Sequence, residues 1–317
     1  MNRRRLVAAG LLALAATAQA QENIGPIKMV VPFGPGTTTD TVGRVVADAL
    51  AKASRQSVVV DNRAGAGGAT GTDQVAKAAA DGKTLVMGTV GTHAINAALY
   101  PKMPYDTLKD FAAVTKLGDA ALILVAHPSA GVKTLRDLVE QGKSRPFSYG
   151  SSGTGGTPHL LGELLKQRTG AQLQHVPYKG GGQAMADVLG GQIPLVFTAI
   201  ATAQQYVRNG RVIALGVPQA KRSNALPEVP TFNESGFAGF DVASWTGIFA
   251  PAATPRPVVE RLQKEIAALL KTDFVRERYA TLGIEPVGNT PEEFTAQVRG
   301  DLARWAEVVK AANVRVE

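Results

Sequence analysis

An α/β fold of two lobes with a cleft between them is the architecture this 317-residue sequence predicts, and three observations carry the prediction. Short β-favouring runs alternate with helical patterns, which builds parallel sheets wrapped by helices. Two runs, the continuously apolar Ala120–Ala126 and the mainly apolar Val242–Ala250, have the length of fully buried strands and bracket a second β/α set. A glycine-rich strand-to-helix turn occurs in each set, near residues 33–40 and again near 148–159. The simplest arrangement is two lobes joined by two crossing strands. Residues 21–122 with 243–317 then form lobe I, residues 123–242 form lobe II, and a hinge lies where the chain crosses.

The N-terminus is set apart. Arg3, Arg4 and Arg5 precede an apolar run from Leu6 to Ala18 that is too short to span a bilayer, and Ala18-Gln19-Ala20 has the small residues of a cleavage site. Residues 1–20 therefore read as a signal peptide, and the mature protein is expected to be exported. Cleavage removes three arginines and no acid, so the formal net charge falls from +8 to +5. The Lys and Arg residues are scattered and aromatics are sparse, which argues against nucleic acid and for attraction of small anions. The chain has no cysteine, so disulfides and thiolate metal sites are excluded and the fold must rest on its core.

In chain order, Met29–Val31 is the first strand, ended by Pro32. Gly34, Pro35 and Gly36 make the turn, Thr37, Thr38, Thr39 and Asp40 offer oxygens where a helix should be capped, and Val42, Val45, Val46, Ala49 and Leu50 recur at helical spacing. Such a turn aims free backbone N–H groups and the positive end of a helix dipole at one spot, which suits an anion. Val58–Val60, a glycine cluster at Gly65, Gly67 and Gly68, a small-residue helix and the strand Thr84–Met87 complete a β-α-β-α-β unit. The second set includes strands near Phe147–Tyr149, Gln174–Val176 and Ile193–Thr198, with helices from His159 and from Gln183. Ser148–His159 repeats the opening turn, with Thr157 expected as cap and Pro158 in the first helical turn. Two such turns facing one another would suit a ligand with a carboxylate at each end. The tail is helical, and Thr290-Pro291-Glu292-Glu293 has the pattern of a capping box.

Enzyme motifs fail. Gly82-Lys83-Thr84 ends like a phosphate-binding loop, but position 77 is lysine where the leading glycine belongs. Neither Gly65-x-Gly67 nor Gly153-x-Gly155 completes a dinucleotide fingerprint. The four histidines lack metal-ligand spacing, so no metal or other cofactor is expected. The competing reading is an exported hydrolase using Ser152 and His159 as a catalytic pair.

Several blocks together resemble a known family. Val31-Pro32-Phe33-x-Pro35-Gly36 with Asp40 and Arg44, Asp61-Asn62-Arg63-x-Gly65-Ala66-Gly67-Gly68, Ser151-Ser152-Gly153-x-Gly155, His175-Val176-Pro177-Tyr178-Lys179-Gly180 and Val229-Pro230-Thr231 are similar to the Bug (TctC-type) solute-binding proteins of tripartite tricarboxylate transporters. The resemblance implies a monomeric periplasmic protein of the type II periplasmic-binding-protein kind. Such a protein closes on a small carboxylate, partly through ordered waters, and delivers it to membrane components of the transporter or to a sensor ectodomain. Carried over by position, it nominates Gly36, Thr37, Thr38 and Thr39, with Asp40 as the cap, in one loop and Ser151, Ser152, Gly153, Thr154, Gly155 and Thr157 in the other. Phe33, Thr89, His93, Tyr178, Lys179 and Thr198 follow as cleft-wall candidates. Where the family often has Asp-Asn, this chain has Thr198-Ala199; loss of that acid implies a dicarboxylate or aromatic carboxylate rather than an amino acid.

Overall fold

The computed structural model describes residues 25–242 and 244–315, so the expected signal peptide lies outside the described residues. Two sheets organise the chain. The first has six strands in the order β11-β4-β10-β3-β1-β2 and the second five in the order β7-β6-β8-β5-β9. In chain order the strands are β1 (Ile27–Val31), β2 (Val58–Asn62), β3 (Thr84–Thr89), β4 (Phe111–Ala120), β5 (Leu122–Ala126), β6 (Phe147–Ser151), β7 (Leu173–Pro177), β8 (Leu195–Ala199), β9 (Ile213–Gly216), β10 (Ser244–Pro251) and β11 (Ile284–Pro286). The helices used below are α1 (Thr38–Ser54), α2 (Ala69–Ala76), α3 (Asn96–Leu99), α4 (Leu135–Gly142), α5 (Thr157–Thr169), α6 (Gly181–Leu189), α7 (Ile200–Arg208), α8 (Arg256–Leu269), α9 (Asp273–Thr281) and α10 (Pro291–Ala312).

Strand direction decides where the loops open. β1 runs parallel to β2 and β3, while β10 lies antiparallel between β3 and β4. β1, β3 and β4 therefore end on one edge of the six-stranded sheet. From that edge β4 passes through the single residue Ala121 into β5, whose first residue, Leu122, pairs with Ala199 at the end of β8. β6 is parallel to β8, so its carboxyl end, like that of β8, lies level with the point where the chain enters the second sheet. The carboxyl-terminal loops of both sets of parallel strands thus open towards the junction of the two sheets. That is where open α/β sheets bind ligands.

The return crossing begins differently from the sequence expectation. Residues 218–242 are turns and loop, anchored by a bridge between Val217 and Thr231, and the strand starts only at Ser244. Prolines and glycines at Pro227, Pro230, Gly236 and Gly239 punctuate that segment and interrupt any ladder.

The core is layered about the sheets. Met29 and Val31 on β1 pack with Val42, Val46 and Leu50 of α1 and with Leu262 and Ile266 of α8, all fully buried. A larger cluster runs through both lobes, joining Leu124, Phe147 and Leu161 to Trp245, Trp305 and Val309. α10 supplies Trp305 and Val309 and begins in the expected capping box, Thr290 accepting from the Glu293 N–H while Glu293 accepts from the Thr290 N–H.

Candidate functional site

The first loop is built on a buried carboxylate. Gly36 sits at φ 79°, a left-handed conformation open to glycine at little cost. The N-cap of α1 is Thr37, not Asp40 as expected: Thr37 Oγ1 accepts the Asp40 N–H at 3.3 Å and donates to Gly34 O at 2.9 Å. Asp40 lies three residues into the helix and is only 3% exposed. Its Oδ2 takes the Gly36 N–H at 2.8 Å and Arg44 Nε at 3.0 Å, and its Oδ1 takes Asn62 Nδ2 at 2.8 Å. Burial pushes the Asp40 carboxyl up, but Arg44, Asn62 and the Gly36 N–H together outweigh it and hold the pKa below the ordinary carboxylate value. The physical reason for the changed cap is reach. A threonine at the cap satisfies the third N–H, which frees Asp40 to tie the turn to β2 through Asn62.

What this leaves open is the first turn of α1. The Thr38 and Thr39 N–H groups have no intrahelical partner, and Gly36, Thr37 and Thr38 are exposed around them. Nothing lies within 4 Å of where a Cβ on Gly36 would stand, so the backbone itself is approachable. Phe33 is half-buried beside Gly68, on which a Cβ would come within 3.2 Å of the Phe33 ring.

The second loop repeats this plan with histidines in place of the carboxylate. Ser151 is fully buried; its Oγ lies 2.7 Å from His175 Nε2 and donates or turns to Gly153 O at 3.0 Å, while accepting the Gly153 N–H at 3.3 Å. Gly153 and Gly155 both take positive φ, 124° and 77°. The Gly155 N–H donates to His159 Nδ1 at 2.9 Å. α5 starts one residue earlier than its expected cap, with Gly156 as N-cap and Thr157 buried as the first helical residue. Pro158 fixes the helical φ at the second position, leaving Gly156 the extended backbone of a cap. Ser152 and Thr154 are the exposed hydroxyls of this loop.

The cleft-wall candidates are dispersed. Thr89, half-buried, locks the turn after β3 through reciprocal contacts with Thr92: the Thr89 N–H donates to Thr92 Oγ1 and the Thr92 N–H to Thr89 Oγ1. His93 does not reach a cleft. It is completely buried, stacked on Phe249 at 3.9 Å and edge-on to Phe111, and burial drives its pKa down to about 3. The wide π-helical turn over Gly91–Ile95 directs it inward. Thr198 is likewise buried, against Gly181. Tyr178 donates to Asp187 Oδ2 at 2.8 Å, and Lys179 is exposed.

The hydrolase pair is not assembled: Ser152 is exposed, while His159 Nδ1 is occupied by the Gly155 N–H. Among the described residues no group of three or more His, Cys, Asp or Glu residues could hold a metal ion. A cavity of about 440 Å³ lies at the far pole of the six-stranded sheet, by Ala112, Thr254 and Arg299. It is remote from both loops, and its Arg256 is already tied to Glu260 and Glu292.

Sequence reasoning missed the supports of the site. Asn62 and Arg44 appear in it only as motif members, yet they fix Asp40. His175 stacks on His159 at 3.7 Å. The register of two parallel strands brings it there, β6 pairing Tyr149 with His175, and a parallel reading of these strands was the one signal for that contact.

Comparison with known proteins places these features in context. The model of the tripartite tricarboxylate transporter family receptor, TctC, matches residues 42–314. Protein BugT of Bordetella pertussis is 37% identical over 295 residues, 92% of this chain and 90% of that protein. The structure of R. palustris Rpa4515 with adipate matches with a TM-score of 0.77 at 34% identity, covering 93% of this chain and 100% of the other. MatC of Rhodopseudomonas palustris with bound malate matches at 0.73 and 32% identity, covering 90% and 99%.

Proposed function

The chain belongs to the TctC family of tripartite tricarboxylate transporter receptors, and from that membership we propose a periplasmic solute-binding protein that captures a small carboxylate between two lobes. Lobe I comprises residues 21–122 with 243–317, lobe II residues 123–242, and Ala121 is the pivot of the first crossing. The bound solute passes to the membrane components of a transporter. No catalytic step is involved.

The observation that supports this reading best is the pair of helix N-termini, of α1 and α5, each preceded by a strand and a positive-φ glycine turn and each opening towards the lobe junction. Gly36, Thr37, Thr38 and Thr39 would take one carboxylate end, with Asp40 holding the turn from behind. Ser152, Gly153 and Thr154 would take the other, with Ser151, Gly155 and Thr157 as supports. Hydrogen bonds to a charged group contribute about 1.5–3 kcal/mol each, so four or five give roughly 6–15 before association costs. Micromolar binding needs about 8.

Adipate and malate, the ligands of two similar proteins, are both dicarboxylates without an amine. Thr198, buried where the family often carries an acid, offers no negative charge to an ammonium. A thermal-shift screen of dicarboxylates, aromatic acids and amino acids tests the reading, because binding to the native state raises the melting temperature by mass action. A selective rise with amine-free carboxylates is expected. A rise with aspartate or glutamate alone would overturn the ligand class, and a flat response from folded, ligand-free protein would overturn carboxylate binding.

A further inference from the structure

Two imidazoles are stacked beneath the second loop. The rings of His159, in the first turn of α5, and His175, in β7, lie 3.7 Å apart and 20° from parallel. Each holds one point of the loop, His159 Nδ1 accepting the Gly155 N–H and His175 Nε2 meeting Ser151 Oγ. The two contacts respond differently to a proton. At His175 it is tolerated, because the Ser151 hydroxyl can point its hydrogen at Gly153 O and accept from the imidazolium instead. At His159 it is not, because an Nδ1–H would meet the Gly155 N–H, donor against donor.

We propose that His159 is the positioning residue of the serine-glycine loop, so that the loop is set for a carboxylate only while Nδ1 is unprotonated and accepts the Gly155 N–H. The inference rests on the carboxylate-binding reading above. Burial is the largest influence on His159 and lowers its pKa; Glu163, on the same helix, pulls it up and Lys166 pushes it down. Glu163 is engaged elsewhere, Oε1 accepting from the Tyr149 hydroxyl at 3.1 Å and Oε2 meeting Lys166 Nζ at 3.3 Å. Tyr149 also reaches His159 O at 2.8 Å, which fixes the backbone of the same residue. Burial, with proximity to His159 acting in the same sense, lowers the His175 pKa to about 4. Near neutral pH both rings are therefore uncharged and the loop is set; acidification unmakes it.

The test uses the mature protein with His159→Ala and His159→Asn, since an asparagine amide oxygen can stand where Nδ1 stood and does not titrate. At pH 7.5 the alanine variant should lose about tenfold or more in adipate affinity, the value of one hydrogen bond to a set loop, while the asparagine variant stays within about threefold. In ligand-free protein the Gly155 amide resonance should titrate between about pH 7.5 and 4 in the wild type and stay fixed in His159→Asn. The ratio of wild-type to asparagine-variant affinity, in which the ionisation of adipate cancels, should fall over the same range. Equal losses in both folded variants, or a Gly155 resonance that titrates alike in wild type and His159→Asn, would overturn the proposal. Should neither adipate nor any acid of the thermal-shift screen bind the wild type, the carboxylate reading fails while the Gly155 resonance still decides the role of His159.

Discussion

At the scale of single residues, Asp40 and His93 are both buried titratable groups that bear no contact to a ligand in the site as described, yet each sets a limit on the protein. Asp40→Ala would take a partner from the Gly36 N–H, Arg44 and Asn62 together. Arg44 is half-exposed and keeps Asn62 Oδ1, so the cost is chiefly the unpaired Gly36 N–H and the loosened turn, about 1–3 kcal/mol, and chemical denaturation should show a drop of that order. The sign for His93 runs the other way from a salt-bridged histidine. Its folded pKa of about 3 lies below the unfolded value of 6.5, so its neutral form is shared by both states above pH 6.5. Below that, the unfolded chain binds a proton that the folded one refuses, and stability should fall by about 1.4 kcal/mol per pH unit until about pH 3. His93→Phe should flatten that slope in urea midpoints measured between pH 6.5 and 4, with the aromatic stack on Phe249 retained.

At the scale of elements, α5 rests on β6 through one glycine. A Cβ on Gly162 would come within 2.5 Å of Tyr149 ring and hydroxyl atoms, so Gly162→Ala should cost about 1–3 kcal/mol by overpacking, read as a shifted urea midpoint with unchanged m-value. Because Tyr149 also holds His159 O, the same variant should loosen the serine-glycine loop. What was legible in sequence follows the range of the interaction. The capping box at Thr290 and the place of Pro158 in the first turn of α5 are local and were readable, and so were the two glycine turns. β4 was not, because Lys116 and Asp119 break its apolar pattern while pairing with one another at 2.9 Å inside the sheet. β11 is three residues long and has meaning only as a partner of β4. The His159–His175 stack joins two elements whose contact depends on sheet register, and the Asp40–Asn62 bond spans 22 residues. The outward turn expected of His93 failed for a further reason: the π-helical turn adds a residue to the local period and rotates the ring into the core.

At the scale of the whole molecule, α10 touches both lobes. Its Trp305 belongs to the cluster that also holds Leu161 of α5, and its Asp301 accepts from Trp245 Nε1 of β10 at 2.8 Å. Trp305→Ala should therefore cost about 3–5 kcal/mol and broaden the unfolding transition, as the lobes lose a shared part of their core. The position of β10 has a further consequence, for the order of assembly. The five-stranded sheet is drawn from one continuous stretch between Leu122 and Gly216, whereas the six-stranded sheet inserts β10 between β3 and β4 only after that whole stretch has intervened. Non-local pairing closes late, since long loops must be brought together before their contacts form. Pulse-labelled hydrogen exchange during refolding should find β5, β6 and β8 protected before β3 and β4. A chain that ends before Ser244 would keep the central gap of its larger sheet open, with β3 and β4 each presenting an unpaired edge, while its five-stranded sheet closes.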